Sequence, residues 1–242
     1  MINSGSDIPD AGSVSELGKP VATAPVRSLK IVPSANSVFH GAFVGDDITE
    51  ANVAAYETMS GERVDIVLKF LAFTAIDNGS GFPATEAAVM DKRGGVLFIK
   101  LEPWSWNLAG MPAYSLSDII AGKYDATLRK FATGVKNYGK PVFVTFGHEM
   151  NGNWYPWAGN PTLYKNAYIY VYNKITKAGA TNITWVWNPH IDCGTLSTYY
   201  PGSNYVDWVA LDGYNTEDYG MPWRSAEQML SAPLTEDRKS VV

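Results

Sequence analysis

The chain is poor in cysteine and histidine, with one and three among its 242 residues, and it has no surplus of basic charge. The lone Cys193 excludes an internal disulfide and leaves the redox compartment open. His40, His148 and His190 are too widely spaced to form a ligand set, and HEMNG lacks the second His at i+4 that a zinc-binding helix needs. No metal and no cofactor are expected. A net charge of −5 with scattered Lys and Arg offers no basic stripe to nucleic acid or to an anionic membrane face. No apolar run approaches the ~18 residues of a membrane span. Residues 1–19 also lack the basic start and apolar centre of a secretory signal. FVGDDITE, after the first apolar run, is not a phosphate-binding glycine fingerprint, which argues against a doubly wound nucleotide-binding sheet.

What the chain has in excess is aromatic surface: 13% aromatic residues, with eight Trp and fourteen Tyr. That fits a neutral ligand held by stacking and hydrogen bonds better than a charged one. With 46% hydrophobic and 18% charged residues, one large core is within reach.

Residues 1–36, rich in Ser, Pro, Gly, Ala and Asp without apolar period, read as a flexible leader or linker. Residues 37–242 read as one domain. Apolar runs predict strands at Ser37–Gly45, Val64–Thr74, Val96–Leu101, Val142–Phe146, Ile183–Asn188 and Val206–Leu211. Between them lie helices: Thr49–Ser60 with Thr49 as N-cap, and Pro83–Arg93. Two more are marked by the stripes Tyr124, Leu128, Phe131, Val135, Tyr138 and Leu163, Ala167, Val171, Ile175, Ala178. Strands separated by helices imply a parallel sheet, and strand ends rich in Trp, Glu, His and Asp favour an α/β (β/α)8 TIM barrel. Six units take about 30 residues each, so eight would need about 60 more beyond Asn215. The expectation is a barrel holding six of its eight units, stopping before strands seven and eight.

The densest chemistry lies in Pro141–Trp157, PVFVTFGHEMNGNWYPW. A strand fit for burial on both faces ends at Gly147 and is followed at once by His148, Glu149, Asn151, Trp154, Tyr155 and Trp157. A carboxyl walled by indoles gains proton affinity, as a general acid must, and the aromatic faces suit sugar rings.

GHEMNG and NWYPW resemble the acid/base segment of glycoside hydrolase family 26, the family of β-mannanases with some lichenases and β-xylanases, built on a (β/α)8 barrel. LEPW at Leu101–Trp104 and KYDATLRKFATGVKNYGKP at Lys123–Pro141 look like that family's third strand end and next helix. WVWNPH at Trp185–His190 and YVDWVALDGYN at Tyr205–Asn215 look like its fifth and sixth strands. The resemblance covers roughly residues 37–223. Thr145, where many relatives carry Arg, and Lys100, where a small or polar residue is common, depart from it.

Glycosidic cleavage takes two carboxyl groups. The resemblance makes Glu149 the general acid/base and puts the nucleophile, a Glu, at the end of strand seven, which this chain is not expected to contain. Glu217, Glu227 and Glu236 end no apolar run. By the same resemblance His148 bonds the sugar or orients the site, Trp154 is an aromatic platform, Tyr214 bonds the nucleophile, and Asp212 contacts substrate or neighbouring side chains. Glu102, Trp104, Trp187 and His190 end strands and are expected at the cleft. For the aromatic members, and for Asp212 and His190, a packing role stands beside the binding one. The implied function is an endo-acting retaining hydrolase of β-1,4-mannan, in a secreted parent with other domains and a signal outside this sequence. The alternatives are a lichenase acting on mixed-linkage β-glucan and a non-catalytic carbohydrate-binding pseudoenzyme.

Overall fold

The computed structural model describes residues 30–32, 34, 37–105, 114–215, 222–231 and 233. Residues 1–29 of the expected leader, and Glu217 and Glu236, lie outside the described residues. Six strands form one parallel sheet in sequential order: β1 Gly41–Ala42, β2 Ile66–Ala72, β3 Val96–Glu102, β4 Val142–Phe146, β5 Ile183–Trp187 and β6 Trp208–Val209. The helices are α1 Glu50–Ser60, α2 Phe73–Asn78, α3 Ala84–Lys92, α4 Leu116–Ile120, α5 Asp125–Tyr138 and α6 Pro161–Lys177. A sequential all-parallel sheet wound with helices is the βα repeat of a (β/α)8 barrel, and six of its strands are described.

Local chemistry sets the boundaries. Thr49 caps α1, its hydroxyl accepting from Asn52 N–H at 3.1 Å. Asn160 caps α6 in the same way, bonding Leu163 N–H at 3.0 Å, with Pro161 in the first turn. The α5 stripe buries Leu128, Phe131 and Val135 against the sheet. All five residues of β4 and of β5 are buried, as strands covered on both faces must be.

Three element boundaries differ from the expectation. Strand pairing in Ser37–Gly45 is confined to Gly41–Ala42, preceded by His40 O accepting from Asp65 and Ile66 N–H. The second strand stops at Ala72, because Phe73 and Ile76 turn into the short helix α2 to bury their side chains. β6 is two residues long, although its pairing with the neighbouring chain segment resumes at a bridge between His190 and Asp212.

Alternation sorts strand side chains into two cores. Between sheet and helices lies the larger, with Val142, Val144 and Phe146 of β4 and Trp185 and Trp187 of β5. Inside the curled sheet lies a smaller one, where Phe143 and Val186 meet Ile31, Phe98 and Trp208. Ile31 closes its lower end: its N–H donates to Thr184 Oγ1 at 2.8 Å and its carbonyl accepts from Trp208 Nε1 at 3.1 Å. Above this plug the inner face changes character, to Lys100, Thr145 and Glu102, all buried.

Candidate active site

The C-terminal end of β4 is fastened to both neighbours. Gly147 N–H donates to Leu101 O of β3 at 3.0 Å, and Glu149 N–H to Asn188 O after β5 at 2.7 Å. Bonding alternately left and right requires a sharp turn of the chain. Gly147 takes φ +58°, and a Cβ there would stand 3.1 Å from the Trp157 ring. Glu149 itself has φ +51°, the one non-glycine residue with positive φ among those described. That left-handed backbone costs roughly 1 kcal/mol and aims the carboxyl out of the sheet's end.

Glu149 is 6% exposed. Burial raises the proton affinity of its carboxyl above the ordinary value, and the Asp212 charge adds to the rise. The Trp154 hydrogen bond opposes it, with smaller help from His190 and Lys100. Trp154 Nε1 donates to Glu149 Oε2 at 2.7 Å, while its ring remains 47% exposed. A buried acid joined to an open aromatic face can protonate a leaving oxygen on a ligand stacked against that face.

Behind Glu149 lies His148, 2% exposed. Burial, and then the Lys100 ammonium, lower its pKa to about 3. The imidazole is therefore neutral near pH 7, and its Nδ1, 3.8 Å from Glu102 Oε1, forms no ion pair there. Its Nε2 meets Tyr155 OH at 3.0 Å, and Trp157 Nε1 donates to its carbonyl at 2.7 Å. Tyr155 and Trp157 stack on each other at 4.3 Å, with Trp104 edge-on to both. Trp104 Nε1 donates to Glu102 Oε2 at 3.1 Å, and Glu102 is fully buried.

On the other side, pairing beyond β5 and β6 brings His190 beside Asp212. His190 lies edge-on to Trp154 at 5.2 Å and stacks on Tyr214 at 6.3 Å; Tyr214 is 64% exposed. Its Nδ1 accepts from Asp192 N–H. Asn151 holds this segment to the acid loop: its Nδ2 donates to His190 O at 2.7 Å and to Cys193 O, and its Oδ1 accepts from His190 N–H at 2.9 Å. Lys100 Nζ donates to Asp212 Oδ2 at 2.6 Å.

Thus Glu149, Trp154, Asp212 and Tyr214 gather around one opening, with His148, Glu102 and Trp104 layered beneath. Trp187 stands apart. It is 1% exposed on the helix side of β5, edge-on to Tyr200, because it shares the parity of Ile183 and Trp185. Asn151 and Lys100 belong to the site without a role assigned by sequence, and Tyr155 packs the acid loop against Trp157. For Lys100 the signal was its parity with Glu102 on β3. Glu227 is exposed, away from any strand end. No group of three His, Cys, Asp or Glu suited to a metal ion occurs among the described residues. No described helix is long and apolar enough to cross a membrane.

Fold and strand-end cluster together define a parallel βα-barrel protein whose site lies at the C-terminal edge of the sheet. Residues 115–225 match the sequence model of Glycosyl hydrolase family 26. Endoglucanase H of Acetivibrio thermocellus is 34% identical over 205 residues, which are 79% of this chain and 22% of that protein. A mannan endo-1,4-beta-mannosidase of Bacillus subtilis is 34% identical over 128 residues, 48% of this chain and 35% of that protein. The GH26 domain of an endo-beta-mannanase/endo-beta-glucanase from Prevotella bryantii has the same fold, with a TM-score of 0.66 at 17% identity over 85% of this chain and 74% of that one. The chain belongs to glycoside hydrolase family 26. It spans about a fifth of the endoglucanase and about a third of the mannosidase.

Proposed function

We propose that this chain carries the acid/base centre of an endo-acting, retaining glycosidase site for a neutral β-linked polysaccharide, with Glu149 as general acid/base. The observation that supports it most is the Glu149 carboxyl, raised in proton affinity by burial yet hydrogen-bonded to the exposed Trp154 ring. Protonated, it gives its proton to the leaving oxygen; ionised in the second step, it takes one from water. On this reading His148 and the layer beneath fix the acid, and Trp154 and Tyr214 form the sugar-stacking faces.

The nucleophile on this reading is a carboxylate other than those described beside Glu149. Glu102 is sealed under Trp104 at 0% exposure, and Asp212 is tied to Lys100. The site of action is extracellular, since polysaccharide chains do not cross membranes.

For the substrate the support divides. The motifs by themselves put β-1,4-mannan first, and the mannosidase match agrees with them. The endoglucanase match, at equal identity, extends over 79% of the chain against 48%. That reverses the order: β-glucan becomes the first reading and mannan the second.

The test is calorimetric titration of the folded chain with mixed-linkage gluco-hexasaccharide and with mannohexaose, alongside turnover on both polymers. Expected are tighter binding of the glucan series and loss of binding in Trp154→Ala. Tighter mannohexaose binding would restore the second reading. Failure of the folded chain to bind either sugar would remove the proposal, and rapid hydrolysis abolished by Asp212→Asn would move the nucleophile to Asp212.

A further inference from the structure

Lys100 is a buried cation on the inner face of β3, 6% exposed, in register with Thr145 of β4. Its Nζ does not pair with a neighbour on the sheet. It reaches past β4 and β5 to Asp212 at the end of β6, 112 residues on, at 2.6 Å. The Phe70 ring packs 5.5 Å from the ammonium and 5.7 Å from the His148 ring, tying the cation to the layer behind Glu149. Lys100 and Asp212 also line an open cavity of about 270 Å³ with Phe43 and Phe98.

A buried ammonium without an anion is strongly unfavourable, and the half-buried Asp212 carboxylate supplies the anion Lys100 needs. Each partner therefore fixes the other. The pair joins the third strand to the segment just after the sixth, near Glu149, so the charge beside the acid depends on this one contact. We propose that Lys100 is a positioning residue of the acid/base centre, holding Asp212 in one orientation toward Glu149 with its charge balanced. The inference rests on Glu149 being the acid/base of the proposed reaction.

The charges around Glu149 make the consequence specific. Asp212 faces it from the end of β6 and raises its proton affinity; Lys100 from β3 and His190 from the loop after β5 lower it. Tyr155, Tyr214 and Cys193 also feel its charge, but burial raises all three, so they are uncharged near neutrality. His148 is neutral. Removing the Lys100 cation thus leaves Asp212 as an unbalanced negative charge beside the acid.

The test is a carbon-13 NMR titration of the Glu149 side-chain carboxyl, assigned by its loss in Glu149→Gln, in the chain as it is. Lys100→Met is expected to raise the midpoint by about one pH unit, tenfold in proton affinity. Asp212→Asn is expected to lower it, and the double variant, with both charges gone, to return it close to the starting value. An unmoved midpoint in Lys100→Met, or an equal rise in the double variant, would overturn the proposal. Should Lys100→Met not fold, Asp212→Asn and the double variant decide. The proposal requires a lower midpoint in Asp212→Asn, and coincident midpoints would sink it. None of these readings needs sugar or turnover, so they stand apart from failure of the glycosidase assignment.

Discussion

Trp154 and Glu149 form one unit: the indole Nε1 donates to the Glu149 Oε2 at 2.7 Å, so the ring that meets solvent also holds the buried acid. The ring lies over Gly152, where a Cβ would stand 2.6 Å from it. Only glycine leaves room for the indole in this pose. Trp154→Phe keeps an aromatic face and removes the donor. Because that hydrogen bond favours the ionised carboxyl, its loss should raise the Glu149 midpoint by about one pH unit, in line with ~1.5–3 kcal/mol for a hydrogen bond to a charged group, reduced by solvent. The same NMR titration reads it, and an unchanged or lower midpoint would separate the two residues.

The backbone of Glu149 bears on stability. At φ +51° a side chain is disfavoured by roughly 1 kcal/mol. At an ordinary position alanine is more stable than glycine, because glycine frees the unfolded chain. Here the left-handed strain works against that preference, so Glu149→Gly should be at least as stable as Glu149→Ala in urea unfolding, by up to roughly 1 kcal/mol. The reverse order would mean that the turn relaxes once the carboxyl is gone.

Much of the fold could be read from sequence because β3, β4 and β5 are short apolar runs, the last two buried on both faces, separated by helices with a clear apolar stripe. The first and last strands were read too long, since apolar composition in Ser37–Gly45 and Val206–Leu211 does not say how many backbone groups find a partner. α2 was missed because Phe73 and Ile76 continue the apolar run of β2 without a cap or a change of period. Within the site, Glu149 and Trp154 were legible since they are five residues apart on one loop. The pairing of Lys100 with Asp212 was not: alternation along Phe98, Lys100 and Glu102 shows that they share a face, but the partner of Lys100 depends on how far the sheet curls. Trp187 shows the reverse error. Its place at a strand end suggested the cleft, whereas parity with Trp185 puts it among the helices.

His148 makes stability depend on pH. Its pKa is 6.5 when free and about 3 in the fold, so between those values the unfolded chain binds more protons. The contribution is present above pH 6.5 and is lost as pH falls toward 3, at up to roughly 1.4 kcal/mol per unit. Glu149 acts in the opposite sense, because its folded pKa lies above 4.5; it favours the fold as pH falls through that raised value. His148→Gln, which keeps a polar partner for Tyr155 OH, should flatten the acid limb of urea-unfolding stability between pH 6.5 and 4. An equally steep limb in the variant would assign the loss to other groups.

Asn151 is the last case, and its role is mechanical. One carboxamide spans two loops, donating to His190 O and Cys193 O and accepting from His190 N–H. These bonds hold the loop after β5 against the acid loop and so set where His190, beside Trp154 and Tyr214, stands. Asn151→Ala leaves three backbone groups to water or to nothing, which should cost about 2–3 kcal/mol in urea unfolding at roughly 1 kcal/mol per bond. Asn151→Asp keeps the acceptor for His190 N–H, loses both donated bonds and places a charge against two carbonyls, so it should be no more stable than the alanine variant. If either substitution costs less than about 0.5 kcal/mol, the two loops are held by the Glu149 N–H to Asn188 O bond and the aromatic contacts instead. With a stable fold but a freed loop, oligosaccharide affinity should fall in Asn151→Ala more than its stability does, because the His190 backing of the Trp154 and Tyr214 faces would no longer be fixed.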